Sequence, residues 1–191
     1  MTYEEYLHAP DIDHHTEWVD GEVIPMMSIS RAHAEVQLFL LELLLPFLRR
    51  HPVGRVYVEP FQMKVGPALS GRSPDAFFVR NEHLGRIHDL FLEGPADLVV
   101  EILSPGTESV DRGDKFLEYE SGGVSEYWII DPVRENVEFF VRDSLGIFRA
   151  TTLSDEGSFE STVVDGFRIK PEWLWEREVT DEVATTLGIA R

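Results

Sequence analysis

The sequence predicts an α/β domain built on a mixed sheet flanked by helices, on three observations. Leu98-Val99-Val100-Glu101-Ile102-Leu103 and Tyr127-Trp128-Ile129-Ile130 are nearly continuous apolar runs, the pattern of central strands buried on both faces. Arg31 to Arg50 is a long stretch rich in Leu, Phe, Val and Ala, opened by Ser30 as a helix cap. Strand and helix patterns interleave along the chain without repeats or low-complexity linkers, as in a sheet covered by helices. A chain of 191 residues has room for one full core. We assign residues 1–175 to a single domain and 176–191 to a loosely held C-terminal tail.

The elements follow in order. Thr2 and Glu5 form a capping box for a short helix over Tyr3 to His8. Asp20-Gly21 between Glu17-Trp18-Val19 and Glu22-Val23-Ile24 is a hairpin signal. The long helix carries its polar residues Glu35, Glu42 and Arg49 on one stripe, so most of its surface must be covered by a sheet, a partner subunit or both. Pro46 is expected to kink it or end it near Leu45. Arg55 to Val65 reads as one strand, Gly66 to Ser73 as a loop, and Asp75 to Arg80 as the next strand. The apolar strand Asp97 to Leu103 stops at Ser104-Pro105-Gly106. A helix capped by Ser109 or Asp111 then runs to about Ser121 and closes on Gly122-Gly123. Tyr127 to Asp131 is a further strand, Asn136 to Arg142 and Ile147 to Leu153 an antiparallel pair, and Phe159 to Val164 another strand. Pro171 to Trp175 begins a helical piece.

Composition narrows the chemistry. The chain has no cysteine, which excludes disulfides, thiolate metal sites and cysteine nucleophiles. With 17 basic and 35 acidic residues its net charge is −18, which opposes unspecific binding to polyanions. No apolar stretch is long enough to span a bilayer, and the N-terminus lacks a secretory pattern. A cytoplasmic protein without a membrane partner is the expectation. Gly-rich phosphate loops, nucleophile elbows, zinc motifs and dinucleotide fingerprints are absent from the sequence.

Glu101 is the residue that stability does not explain. An ionised carboxylate inside a buried strand costs roughly several kcal/mol unless a metal, a cation or a proton compensates it. Either it serves a site or it forms a structural ion pair with Arg112 or Lys115. Asp75 opens the neighbouring strand after Pro74, and Lys115 lies on the helix that follows Glu101. Two acids on adjacent strands can hold a hard divalent cation such as Mg²⁺, and a nearby lysine can orient water or stabilise developing charge. Those are the residue types that phosphodiester hydrolysis needs. Without a site, Lys115 would be an exposed partner of Asp111 one turn away, and Tyr119 would simply pack against the sheet. The Asp13-His14-His15-Glu17 cluster lacks the helical spacing of zinc hydrolases. Arg49, Arg50 and Arg55, with His51, could supply a local basic edge for DNA.

Several segments together resemble a known family. They are Glu17-Trp18-Val19-Asp20-Gly21-Glu22, Ser73-Pro74-Asp75, Val100-Glu101-Ile102-Leu103-Ser104-Pro105, Asp111 to Lys115, and Gly123 through Tyr127-Trp128-Ile129-Ile130-Asp131-Pro132. They resemble the Uma-type restriction-endonuclease family of the PD-(D/E)XK nuclease superfamily. The resemblance implies a restriction-endonuclease-like fold, often dimeric, and a metal-dependent DNA endonuclease. Asp75 and Glu101 would ligate Mg²⁺ or Mn²⁺, and the Ile102 backbone carbonyl would add a ligand. The superfamily places a lysine two residues after the second acid, where this chain has Leu103. Its task would pass to Lys115 or to Lys64; with neither in reach, the domain would be an inactive binding or assembly module. Sequences of this kind carry a histidine where this chain has His33, and Glu22 could act as an outer acid.

Overall fold

The computed structural model describes residues 1–13 and 15–189. Helix α1 (Tyr3–Leu7) starts at the expected capping box: the Thr2 amide donates to Glu5 Oε2 at 2.8 Å and the Glu5 amide to Thr2 Oγ1 at 3.2 Å. Strands β1 (Thr16–Val19) and β2 (Glu22–Pro25) pair through a two-residue turn. Its central residues, Asp20 and Gly21, both have positive φ, at 50° and 90°. Such a turn matches the twist of the flanking strands and favours Asp-Gly.

Helix α2 (Arg31–Arg50) begins at Ser30, whose hydroxyl accepts the His33 amide. The expected break near Leu45 does not occur, and the helix continues through Pro46 to Arg50. One missing amide is tolerated there because Leu43, Leu44, Phe47 and Leu48 are all buried around it. The region read as a single strand over 55–65 is two. Strand β3 (Gly54–Val58) and strand β4 (Gln62–Lys64) lie in different sheets. The chain changes sheets at Glu59 to Phe61.

Strands β5 (Gly71–Arg72) and β7 (Phe91–Glu93) complete a five-stranded mixed sheet in the order β2-β1-β5-β4-β7. Strands β6 (Ala76–Arg80), β8 (Leu98–Ile102), β9 (Glu126–Asp131), β10 (Asn136–Arg142) and β11 (Phe148–Ala150) form the main sheet with β3, in the order β11-β10-β9-β8-β6-β3. Only β8 and β9 run parallel within it. Every residue of β8 and β9 is buried, as their apolar runs require.

The main sheet has an apolar core on each face. Leu98, Val100, Ile102 and Trp128 face α2, the short helices α5 (Trp173–Glu176) and α6 (Asp181–Thr186), and the small pair β12 (Phe159–Glu160) and β13 (Arg168–Ile169). Val99, Tyr127 and Ile129 face the five-stranded sheet and helix α4 (Asp114–Gly122). The segment expected to be loosely held therefore takes part in packing, because Val183 and Leu187 are buried in the first core. The helix expected from Ser109 is two pieces, α3 (Glu108–Asp111) and α4. They break at Gly113, where a Cβ would stand 2.6 Å from the Ser109 carbonyl oxygen. Among the described residues no helix is long and apolar enough to cross a membrane.

Candidate functional site

The register of the main sheet sets the site. Strand β6 pairs with β8 so that Ala76 faces Val100, and one step beyond that pair lie Asp75 and Glu101. Both line one cavity of about 150 Å³, together with His33, Glu59, Asp111 and Lys115. Asp75 is buried, and its Oδ2 accepts the Ile102 amide at 2.5 Å. Ile102 itself lines the cavity. Asp75 is thus fixed at the strand ends, between α2 on one side and α4 on the other.

Glu101 is held from the α4 side. Its Oε1 accepts the Tyr119 hydroxyl at 2.7 Å and lies 3.0 Å from Lys115 Nζ. Lys115 also meets Asp111 at 3.0 Å and Glu17 at 3.6 Å. The Asp111–Lys115 pair is therefore not the exposed helix pair considered from sequence, since both side chains are buried. Glu17 reaches Arg72 at 2.9 Å and accepts the Ser73 amide, while Arg72 forks onto Glu118 with bonds of 2.8 and 2.7 Å. The result is a chain of alternating charge, Glu118–Arg72–Glu17–Lys115–Glu101, buried except at its partly exposed Glu118 end.

The chain pushes its members apart in proton affinity. Burial holds the Glu101 carboxyl well above the usual range; Lys115 opposes this, while Asp111, Asp75 and Glu17 add to it. Burial alone would also raise Glu17, but Lys115, Arg72 and the Ser73 amide outweigh it and hold Glu17 below its ordinary value. Burial disfavours the charge on Lys115, yet Glu101, Glu17 and Asp111 overcome it, so the ammonium stays well above the ordinary lysine value. Burial, then Glu101, raises Tyr119, which keeps its hydroxyl a donor. Environments that drive neighbouring carboxyls in opposite directions are typical of sites that handle protons.

The candidates from sequence separate clearly. Lys115 lines the cavity and Lys64 does not. Lys64 donates to the Leu69 carbonyl and sits 4.3 Å from the Trp18 ring centre. Arg112 turns to Glu108 and Glu138 instead of Glu101. His33 joins the site, with Nε2 3.1 Å from Asp75 Oδ1 and Nδ1 3.1 Å from Ser104 Oγ. Glu22 is exposed on β2 and lies outside the cavity. In the Asp13-His14-His15-Glu17 segment, Glu17 belongs to the buried charge chain, His15 is exposed, and His14 lies outside the described residues. Arg49 and Arg55 are exposed, and Arg50 donates to the Gly188 carbonyl.

Sequence reasoning missed Glu17, Glu59 and Asp111 as cavity residues, and it missed the Tyr119 hydroxyl. Glu59 is half-buried, and burial, then Asp75, raises its carboxyl. Among the described residues, one set of three can bring ligand atoms within 4.8 Å of one another: His33, Glu59 and Asp75. Glu101 stands outside that set. The donor chemistry suits a divalent cation, because carboxylate oxygens crowd one small cavity and His33 Nε2, though buried, makes no hydrogen bond.

Comparison with known proteins bears on the fold and the family. No curated protein matches the chain. A solved structure from Anabaena variabilis ATCC 29413, described as "a putative nuclease belonging to DUF820", superposes with a TM-score of 0.74 at 16% sequence identity. The match covers 93% of this chain and 98% of that one, which supports a restriction-endonuclease-like fold. The model of the Uma2 family, described as "Putative restriction endonuclease", matches residues 3–171, and the chain belongs to that family.

Proposed function

We propose that this protein is a Mg²⁺- or Mn²⁺-dependent endonuclease that hydrolyses phosphodiester bonds of DNA. One observation carries the reading. Asp75 and Glu101, from adjacent buried strands, share one cavity in which the Lys115 ammonium rests on Glu101. Asp75, Glu101 and the Ile102 carbonyl would hold the ion. When bound, such an ion lowers the pKa of its water and offsets charge on the phosphate.

The remaining work falls to the chain's own groups. The Ile102 amide fixes the Asp75 carboxylate, and Tyr119 and Lys115 fix Glu101, so neither acid must reorganise as substrate arrives. Lys115, kept protonated by three acids, cannot serve as a base. It orients water and stabilises negative charge developing on the phosphoryl oxygens. Lys115 thereby takes over the task of the lysine that Leu103 replaces. Exposed Met27 and Ile29 at the cavity offer apolar contact to a sugar or base. The exposed Leu38 and Leu45 on α2 support a homodimer.

The test is cleavage of plasmid and single-stranded DNA with Mg²⁺ or Mn²⁺ over a range of salt. Wild type should cut, while Asp75→Ala and Glu101→Ala should not, with all three keeping a cooperative melt. Absence of cleavage by wild type under every condition would overturn the reading. If calorimetry then showed no difference in Mn²⁺ binding between wild type and Glu101→Ala, an inactive binding module would stand in its place.

A further inference from the structure

The α2 side of Asp75 carries a second arrangement that the Asp75–Glu101 pair does not use. His33 Nε2 lies 3.1 Å from Asp75 Oδ1 yet makes no hydrogen bond. His33 is 2% exposed, so water cannot readily satisfy that nitrogen. In the tautomer with its proton on Nδ1, that atom donates to Ser104 Oγ, and the Nε2 lone pair faces the Asp75 oxygen. Two such atoms in a buried place repel unless positive charge lies between them.

The spacing suits an ion. Neighbouring ligands of an octahedral cation with bonds near 2.1 Å stand about 3.0 Å apart, and opposite ligands about 4.2 Å. The His33–Asp75 distance matches the first figure, and a Glu59 oxygen comes within 4.8 Å of both. The ligands are also steadied from behind. Ser104 holds the imidazole, and Gln37 Nε2 donates to the Asp75 carbonyl at 2.9 Å while lying 3.5 Å from Glu59 Oε1. Asp75 Oδ1 is the oxygen that faces His33, while Oδ2 accepts the Ile102 amide.

We propose that His33 Nε2, Glu59 and Asp75 Oδ1 form a cation position of their own, selective for Mn²⁺, Co²⁺ or Zn²⁺ over Mg²⁺. The selectivity follows from the imidazole nitrogen, which suits these ions, whereas Mg²⁺ demands oxygen ligands. The position shares Asp75 with the Asp75–Glu101 pair but rests on separate contacts, and it does not require that DNA be cut.

The experiment has two arms. Wild-type protein labelled with ¹⁵N-histidine is titrated with Zn²⁺. Of seven histidines, His33 should show the Nε2 shift, and Glu101→Gln should retain it. Co²⁺ is then titrated by its visible absorption into wild type, His33→Gln and Glu59→Gln, with thermal melts to confirm folding. Each variant should lose affinity about tenfold or more, while Mg²⁺ produces no His33 shift. A Zn²⁺ shift confined to other histidines, or wild-type Co²⁺ affinity in both variants, would overturn the proposal. Metal binding at His33 without DNA cleavage would uphold this site and refute the nuclease. Cleavage with His33 untouched by metal would do the reverse.

Discussion

Replacing Lys115 with Met gives the sharpest test of the buried charge chain. Methionine has similar length and no charge, so the change removes the ammonium without opening a large cavity. Lys115 faces Glu101 and Asp111 at 3.0 Å and Glu17 at 3.6 Å. At an effective dielectric constant near 20, a pair separated by 3.0 Å is worth roughly 5 kcal/mol before desolvation. Desolvation offsets much of that, so stranding these carboxylates should cost about 3–5 kcal/mol at pH 7. Urea unfolding reads the loss directly. The pH dependence is equally specific. Burial already holds Glu101 up, and Lys115 is the group that opposes it. Without Lys115 the folded-state value rises further above that of the unfolded chain. Wild type already carries part of the penalty for this raised value, so the Glu101 share of the deficit opens only above the wild-type folded value. The share at lower pH comes from Glu17, which Lys115 holds below its ordinary value and which loses that support in the variant. The variant should therefore lie closest to wild type at the acid end and fall further behind as pH rises. A deficit below about 0.5 kcal/mol at pH 7, or one that deepens on acidification, would refute the assignment of Lys115 as the countercharge.

Two further changes probe neighbouring conclusions. Lys64→Met removes a cation 4.3 Å from the Trp18 ring centre and should cost about 0.5–2 kcal/mol. Calorimetry should find its Mn²⁺ affinity unchanged, and a tenfold loss would show that Lys64 reaches the site after all. Leu187→Ala, in the segment expected to be loose, should cost about 2–5 kcal/mol in urea unfolding because the side chain is buried in the core. A loss under about 1 kcal/mol would mean that the segment is dispensable.

Signals carried by a few adjacent residues translate well into structure here. Ser30 starts α2 at Arg31, Asp20-Gly21 makes the hairpin turn, and the Leu98-to-Leu103 run lies in the centre of the main sheet. Asp75, Glu101 and Lys115 are gathered at one cavity for the same reason, since each stands on an element that the pattern identifies. What was not legible depends on distant partners. Residues 55–65 look like one strand because β propensity does not reveal which sheet will accept each half. Pro46 looks like a break because the packing that carries α2 past it comes from elsewhere in the chain. Glu17 and Glu59 look like ordinary polar strand residues. Only the folded register brings Glu17 to Lys115 and Arg72, and Glu59 to His33 and Asp75. The buried hydroxyl of Tyr119 had no signal at all, because a tyrosine facing a sheet normally just packs.

The placement of the two acids affects how the site can fail. Asp75 and Glu101 hang from β6 and β8, and both strands are flanked by neighbours on either side. Fraying of an edge strand such as β11 or β3 leaves that pairing intact. Amides along β6 and β8 should then exchange with solvent only through the slowest, whole-molecule opening. The geometry that gathers these acids would vanish in a single step with the native state, so a partly unfolded protein could not keep a loosened version of the cavity.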